Sequence, residues 1–287
     1  MSKKIKIFSE LVKIRITSFV TVTTAFGYIA AIGQVNLQIL PVLFGVLLLA
    51  FGSAALNHYQ EKDFDVDMDR TKSRPIPSGR ISPSSVVKIS VILILSGSLI
   101  LLLWTNILAL GLGLLNLIWY NFIYTLLKRK TPFAIVPGSL VGAIPPIIGW
   151  VAAGGDLLDS QIIVIAFFFF IWQIPHFWLL LLVLDKDYRQ AGFPTLTQVF
   201  SREQLSRITF VWIIATAVTG LMIPLFGIVT ELWINLGLFL SGGLLTWKAF
   251  GLLTATKDFK IFNYNFRYIN YFALVVVFLI SIDKLIF

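Results

Sequence analysis

The chain has 287 residues, of which 57% are hydrophobic and 13% charged, with a formal net charge of +9. A soluble domain carries about 25% charged and about 45–50% apolar residues, so an ordinary water-soluble fold is excluded. The absence of cysteine also excludes disulfides, thiolate metal sites and a cysteine nucleophile.

The apolar residues fall in blocks of roughly 20, the length that crosses a hydrocarbon core of about 30 Å. Lipid offers the backbone no hydrogen bonds, so such blocks must be helices. Spans are expected near residues 16–33, 39–57, 84–103, 106–127, 133–153, 161–184, 206–229, 232–251 and 267–286. The connections alternate in charge. One set, with nearby helix ends, holds 22 of the 23 Lys and Arg residues; Lys284 alone falls on the other side. By the positive-inside rule the basic set and the N-terminus are cytoplasmic, and an odd number of spans leaves the C-terminus outside. The basic excess is thus explained by orientation in the lipid bilayer, and no nucleic acid partner is expected. The start of the chain is basic but lacks a cleavage site after a short apolar core, so no signal peptide is expected. The predicted fold is an all-α integral membrane protein, one domain over 1–287, of about nine transmembrane helices around a central cavity.

In chain order, Arg15 opens the first span, where a positive-inside role and a substrate-binding role are equally open. The second span leads into Asn57-His58-Tyr59-Gln60-Glu61-Lys62-Asp63-Phe64-Asp65-Val66-Asp67-Met68-Asp69-Arg70-Thr71-Lys72-Ser73-Arg74-Pro75. If the helix continues, Asn57, Glu61 and Asp65 recur every fourth residue and share a face, while Asp63 and Asp67 point largely elsewhere. Three oxygen donors on one face suit Mg²⁺, which takes one or two carboxylates, keeps waters and completes its shell with phosphate oxygens. Arg70, Lys72 and Arg74 supply donors for phosphate. Solubility alone does not require this periodicity. His58 sits at the interface, where a polar residue needs no special explanation.

At the end of the fourth span Tyr124 and Lys128 are one helical turn apart, so hydroxyl and ammonium point the same way. In the sixth span His176 lies eleven residues before Asp187, about 16 Å along a helix axis and so inside the membrane. Polar groups there are costly and face a cavity or bundle interior. His176 is therefore read either as an acceptor-binding residue or as a histidine bonded to a neighbouring helix. Asp185 and Asp187 follow. They are candidates for a second Mg²⁺, although residues two apart on a helix diverge by about 200° and can face one ion only if the helix has unwound.

Asn57-x-x-x-Glu61-x-x-x-Asp65 followed by Arg70 and Arg74-Pro75, together with Tyr124-x-x-x-Lys128, resembles the UbiA superfamily of intramembrane prenyltransferases. More narrowly, Lys13-Ile14-Arg15-Ile16-Thr17, Thr131-Pro132, Gly142 to Trp150, Trp172-Gln173-x-Pro175-His176-Phe177-Trp178 and Asp187-Tyr188-x-x-Ala191-Gly192-x-Pro194 resemble its haem-farnesylating branch. The match covers roughly residues 10–205. The sequence departs from that branch where Lys186 separates Asp185 from Asp187 and where Phe133-Ala134-Ile135 follows Thr131-Pro132.

The resemblance implies farnesyl diphosphate as donor, held through Mg²⁺ by Asn57, Glu61, Asp65 and Asp187, with Asp185 beside them. It implies that Arg15, Arg70, Lys72, Arg74 and Lys128 face the diphosphate, that Tyr124 steadies the allylic cation, and that His176 contacts the acceptor, haem B; His58 is a further substrate-binding candidate. It also implies a bacterial or archaeal plasma membrane, a cytoplasmic active site, and haem-handling or oxidase-assembly proteins as partners. A quinone-precursor or lipid acceptor, a secondary transporter, and a non-catalytic assembly factor remain open alternatives. The acids cluster at one face rather than at the midplane, which disfavours transport.

Overall fold

A computed structural model describes residues 3–254 and 260–287. Residues 255–259, within the connection 252–266, lie outside the described residues. An amphipathic helix, α1 (Lys3–Leu11), precedes the first span; at nine residues it is too short to register as an apolar block. Among the described residues nine helices are long and apolar enough to cross a membrane: α2 (Ile14–Ile32), α3 (Ile39–Gln60), α4 (Pro83–Trp104), α5 (Ile107–Leu127), α6 (Pro132–Ala152), α7 (Ser160–Val183), α8 (Arg202–Phe226), α9 (Leu232–Thr254) and α10 (Lys260–Ile286). Each matches an expected span. The main differences are at α8 and α10, which begin several residues earlier on polar, charged turns that hydropathy alone does not count as span.

Each helix packs on the next, α10 packs on α9, and α10 also returns to α2. The nine spans thus form a closed ring. Inside it α2 crosses α6 and α7 meets α10. Without a strong hydrophobic drive between helices in lipid, close backbone approach carries the packing. The crossing of α2 and α6 shows this: a Cβ at Gly27 would fall on the Pro146 carbonyl, and a Cβ at Gly149 on the Thr24 carbonyl.

Two irregularities shape the interior. Residues Trp119–Tyr124 form a π-helical turn within α5, a feature found often at functional sites. It is held by polar groups: the Asn121 amide donates to the Ser53 carbonyl (3.0 Å) and to Gln60 Oε1 (3.1 Å), and Gln60 donates back to the Asn121 carbonyl (3.1 Å). Pro175 interrupts α7 next to His176, removing one helical hydrogen bond.

Gly149→Val should lower stability by about 3 kcal/mol or more, at the upper end of overpacking costs. Gly111→Ala, where a Cβ meets nothing within 4 Å, should leave it unchanged or raise it. Thermal unfolding of purified protein in detergent compares the two.

Candidate functional site

α3 ends at Gln60, and a further helical turn spans Lys62–Asp65. The four-residue hydrogen bonds persist across the junction, Glu61 N to Asn57 O at 3.0 Å and Asp65 N to Glu61 O at 2.9 Å. Asn57, Glu61 and Asp65 therefore stay on one face, and all three are buried, at 1%, 5% and 0% exposure. Asp63 instead stands in solvent beside Lys62, 3.1 Å away.

Buried carboxylates need cations, and three separate segments deliver them. Arg74 of the following loop donates to both Asp65 oxygens, at 2.7 and 2.9 Å, with Glu61 Oε2 3.9 Å away. Lys128, just past α5, pairs with Glu61. Lys13, between α1 and α2, donates to Asn57 Oδ1 at 2.6 Å, while the Asn57 amide reaches the Thr125 hydroxyl at 3.3 Å. Lys13 is the one non-glycine residue with positive φ, +52°, among the described residues. A lysine in this sparsely populated conformation costs energy and persists only where the surroundings impose it. It was not singled out in the sequence, where Arg15 seemed the equivalent cation. The signal available was its place in the Lys13-Ile14-Arg15-Ile16-Thr17 string.

Burial, reinforced by Arg74, holds the Lys13 ammonium down to about 7. Burial alone would raise Glu61; Lys128 and Lys13 overcome it and hold the carboxyl down to about 2. Three basic groups thus face two carboxylates; with Lys13 protonated, the form that an incoming anion favours, the cluster has positive charge to spare.

The aromatic side begins at Lys128, whose ammonium sits 5.7 Å from the ring centres of both Tyr124 and Phe193. The Tyr124 ring lies 6.2 Å from Phe177, and Phe177 lies 5.4 Å from His176. His176 Nδ1 is 2.7 Å from Asn270 Oδ1 on α10. A continuous line of contacts therefore runs from the charge cluster to the intramembrane histidine.

The second acidic segment folds over the same mouth. Phe193 packs 4.9 Å from Phe64 and 5.4 Å from Tyr188, with Met68 and Ala191 in the same apolar knot. Its acids are placed differently from the first pair. Asp185 pairs with Arg189 at 2.9 Å and accepts from the Thr197 hydroxyl. Asp187 is half-buried, in a short helical turn Asp185–Gln190. Arg15 and Arg70 are exposed, and Lys72, also exposed, pairs with Asp69 at 2.6 Å. His58 is buried at 1% exposure and borders an open cleft of about 600 Å³ between α1 and the loop carrying Arg74 and Arg80; Lys13 and Arg74 line this cleft too, so it opens onto the charge cluster.

Among the described residues no three His, Asp or Glu side chains form a closed metal cage. The donors at the first segment nonetheless fit Mg²⁺, which needs few protein ligands and takes the rest from water and phosphate. Asn57 Oδ1 and the two carboxylates are hard oxygen donors on successive turns.

Membrane helices closed into a ring, with buried oxygen donors and surplus cations at one mouth, define a class. Residues 19–271 match the model of the UbiA prenyltransferase family, and the chain belongs to that family. Its relatives include protoheme IX farnesyltransferases. That of Geobacter sulfurreducens is 42% identical over 186 residues, 65% of this chain and 68% of that protein. That of Oleidesulfovibrio alaskensis is 30% identical over 280 residues, 97% and 96% of the two chains. Two solved structures share the fold. Digeranylgeranylglyceryl phosphate synthase has a TM-score of 0.80 at 16% identity over 99% of both chains. A UbiA homologue from Archaeoglobus fulgidus bound to GPP and Mg²⁺ has a TM-score of 0.65 at 14% identity, over 94% of this chain and 99% of that one.

Arg74→Met should leave Asp65 buried and unpaired and cost about 3–5 kcal/mol. Adding Asp65→Leu should recover much of the loss, while Lys72→Ala should leave the melting temperature unchanged. A double-mutant cycle on unfolding in detergent reads the coupling.

Proposed function

We propose that this membrane enzyme transfers the farnesyl group of farnesyl diphosphate to a vinyl group of haem B, giving haem O for terminal oxidases. The observation that carries the reading is the buried Asn57, Glu61 and Asp65 set with its surplus of cations, in a chain related to protoheme IX farnesyltransferases. Asn57, Glu61 and Asp65 would hold Mg²⁺, with Asp187 from the second segment. Bound there, the ion supplies Lewis-acid stabilisation of the departing diphosphate.

The chain's own residues do the rest. Arg74 and Lys128, freed from their carboxylate partners as the site fills, and Lys13, freed from the Asn57 amide oxygen, neutralise the diphosphate. Arg70 and Lys72 on the same loop add charge as the donor approaches. The C–O bond of the donor breaks and its electron pair leaves with the diphosphate. The allylic cation is held against the Tyr124 ring, where cation–π attraction is strongest in a dry site. The Phe64, Tyr188 and Phe193 knot excludes water from this step. The vinyl group attacks the allylic carbon, and a water molecule then adds to the new cation and releases a proton. Haem is a substrate here, with His176 holding the macrocycle and the farnesyl tail lying among apolar helices. The basic connections support a cytoplasmic position for this mouth by the positive-inside rule. Haem-handling or oxidase-assembly proteins are the expected partners.

Mass spectrometry of haem from membranes with and without the protein tests the acceptor, and a gain of hydroxyethylfarnesyl is expected. The same assay with 4-hydroxybenzoate should give no product. Asp65→Asn should reduce turnover by about 10²-fold or more, the scale of losing an electrostatic partner of the transition state. Chelation of Mg²⁺ should abolish it reversibly. Near-normal turnover in Asp65→Asn would remove the first segment from the mechanism.

A further inference from the structure

The contact between His176 and α10 carries more information than a distance. The Asn270 amide nitrogen donates to the Phe266 carbonyl at 2.6 Å. A carbonyl can only accept, so that end of the amide is the NH₂. The other end, 2.7 Å from His176 Nδ1, is then the oxygen, which also can only accept. The network thereby assigns the imidazole proton to Nδ1. In a neutral ring Nε2 is left with its lone pair, and among the described residues nothing bonds it.

The ring is also held in orientation. Trp172, one turn earlier on α7, lies 4.8 Å from the His176 ring, and Phe266 lies 5.0 Å from it. The Trp172 indole donates to the Ile269 carbonyl at 3.1 Å. Adjacent residues of α10, Ile269 and Asn270, thus clamp Trp172 and His176 of α7. A histidine that binds a metal through one nitrogen donates its other N–H to an oxygen partner that fixes tautomer and orientation. The arrangement at His176 has that form.

We infer that Asn270 is a positioning residue that locks His176 as its Nδ1–H tautomer and presents the Nε2 lone pair to the iron of the haem acceptor. This rests on the proposed acceptor and adds to it the nitrogen used, the residue that selects it, and a role for the last helix.

The chain contains two histidines, so NMR of protein labelled with ¹⁵N-histidine reads the tautomer directly, with His176→Gln identifying the signal. Wild type should show Nδ1–H at His176. Asn270→Leu should shift the ring toward Nε2–H, and Asn270→Asp, which keeps the acceptor oxygen, should not. In haem B titrations Asn270→Leu should weaken affinity by about 10–100-fold, as expected for loss of a ligand's outer partner, and alter the Soret band. Asn270→Asp should stay near wild type, and affinity for farnesyl diphosphate should be unchanged in both. Nε2–H in the wild type overturns the inference, as does Asn270→Leu with unaltered haem affinity. Wild-type protein that binds no haem sinks the acceptor reading and the iron contact together; the tautomer is measured without haem and separates the two failures.

Discussion

Two carboxylates buried at the mouth of a membrane bundle cannot stand alone. Glu61 and Asp65 are almost fully enclosed, and removing charge from water costs several kcal/mol per ion unless partners repay it. Direct partners come from the loop after α3 and from the end of α5, and Lys13 at the α1–α2 junction adds its charge from its place on Asn57. Three stretches far apart in sequence must therefore close on one point. The strained Lys13 backbone, the loop that brings Arg74 back onto Asp65, and the Lys128 ammonium directly after α5 all follow from that demand.

The same arrangement explains why the cluster is suited to an exchange. Each cation now satisfies an oxygen that a divalent ion would take over, and each would then turn to the anion the ion brings. A site that keeps its donors paired in this way avoids an uncompensated buried charge before substrate arrives. The polar strap between α3 and α5, through Asn121, Ser53 and Gln60, holds the two helices at the register that Asn57 and Lys128 require.

The interior has two poles joined by aromatic contacts. One is the charge cluster; the other is His176, held from the last helix. Lys128, Tyr124, Phe177 and His176 touch in sequence, so the two poles are linked through side-chain contacts. Closure of the ring by α10 against α2 and α7 makes the second pole possible. A helix poor in recognisable motif thus supplies the partner of the intramembrane histidine.

Span number and position were legible in the sequence because a helix in lipid must be long and apolar, and hydropathy reads both directly. The shared face of Asn57, Glu61 and Asp65 was legible too, because helical periodicity continues through the Gln60–Glu61 junction. Tertiary structure alone decided which cations meet these acids. Lys13 reaches Asn57 through a left-handed turn that no spacing rule foresees, while Arg15, two residues on, faces outward. It also decided that Asp185 is taken by Arg189 and Thr197, and that His176 finds its partner in Asn270, 94 positions later. Periodicity fixes which residues share a face, whereas partner choice depends on which helices the closed ring makes neighbours.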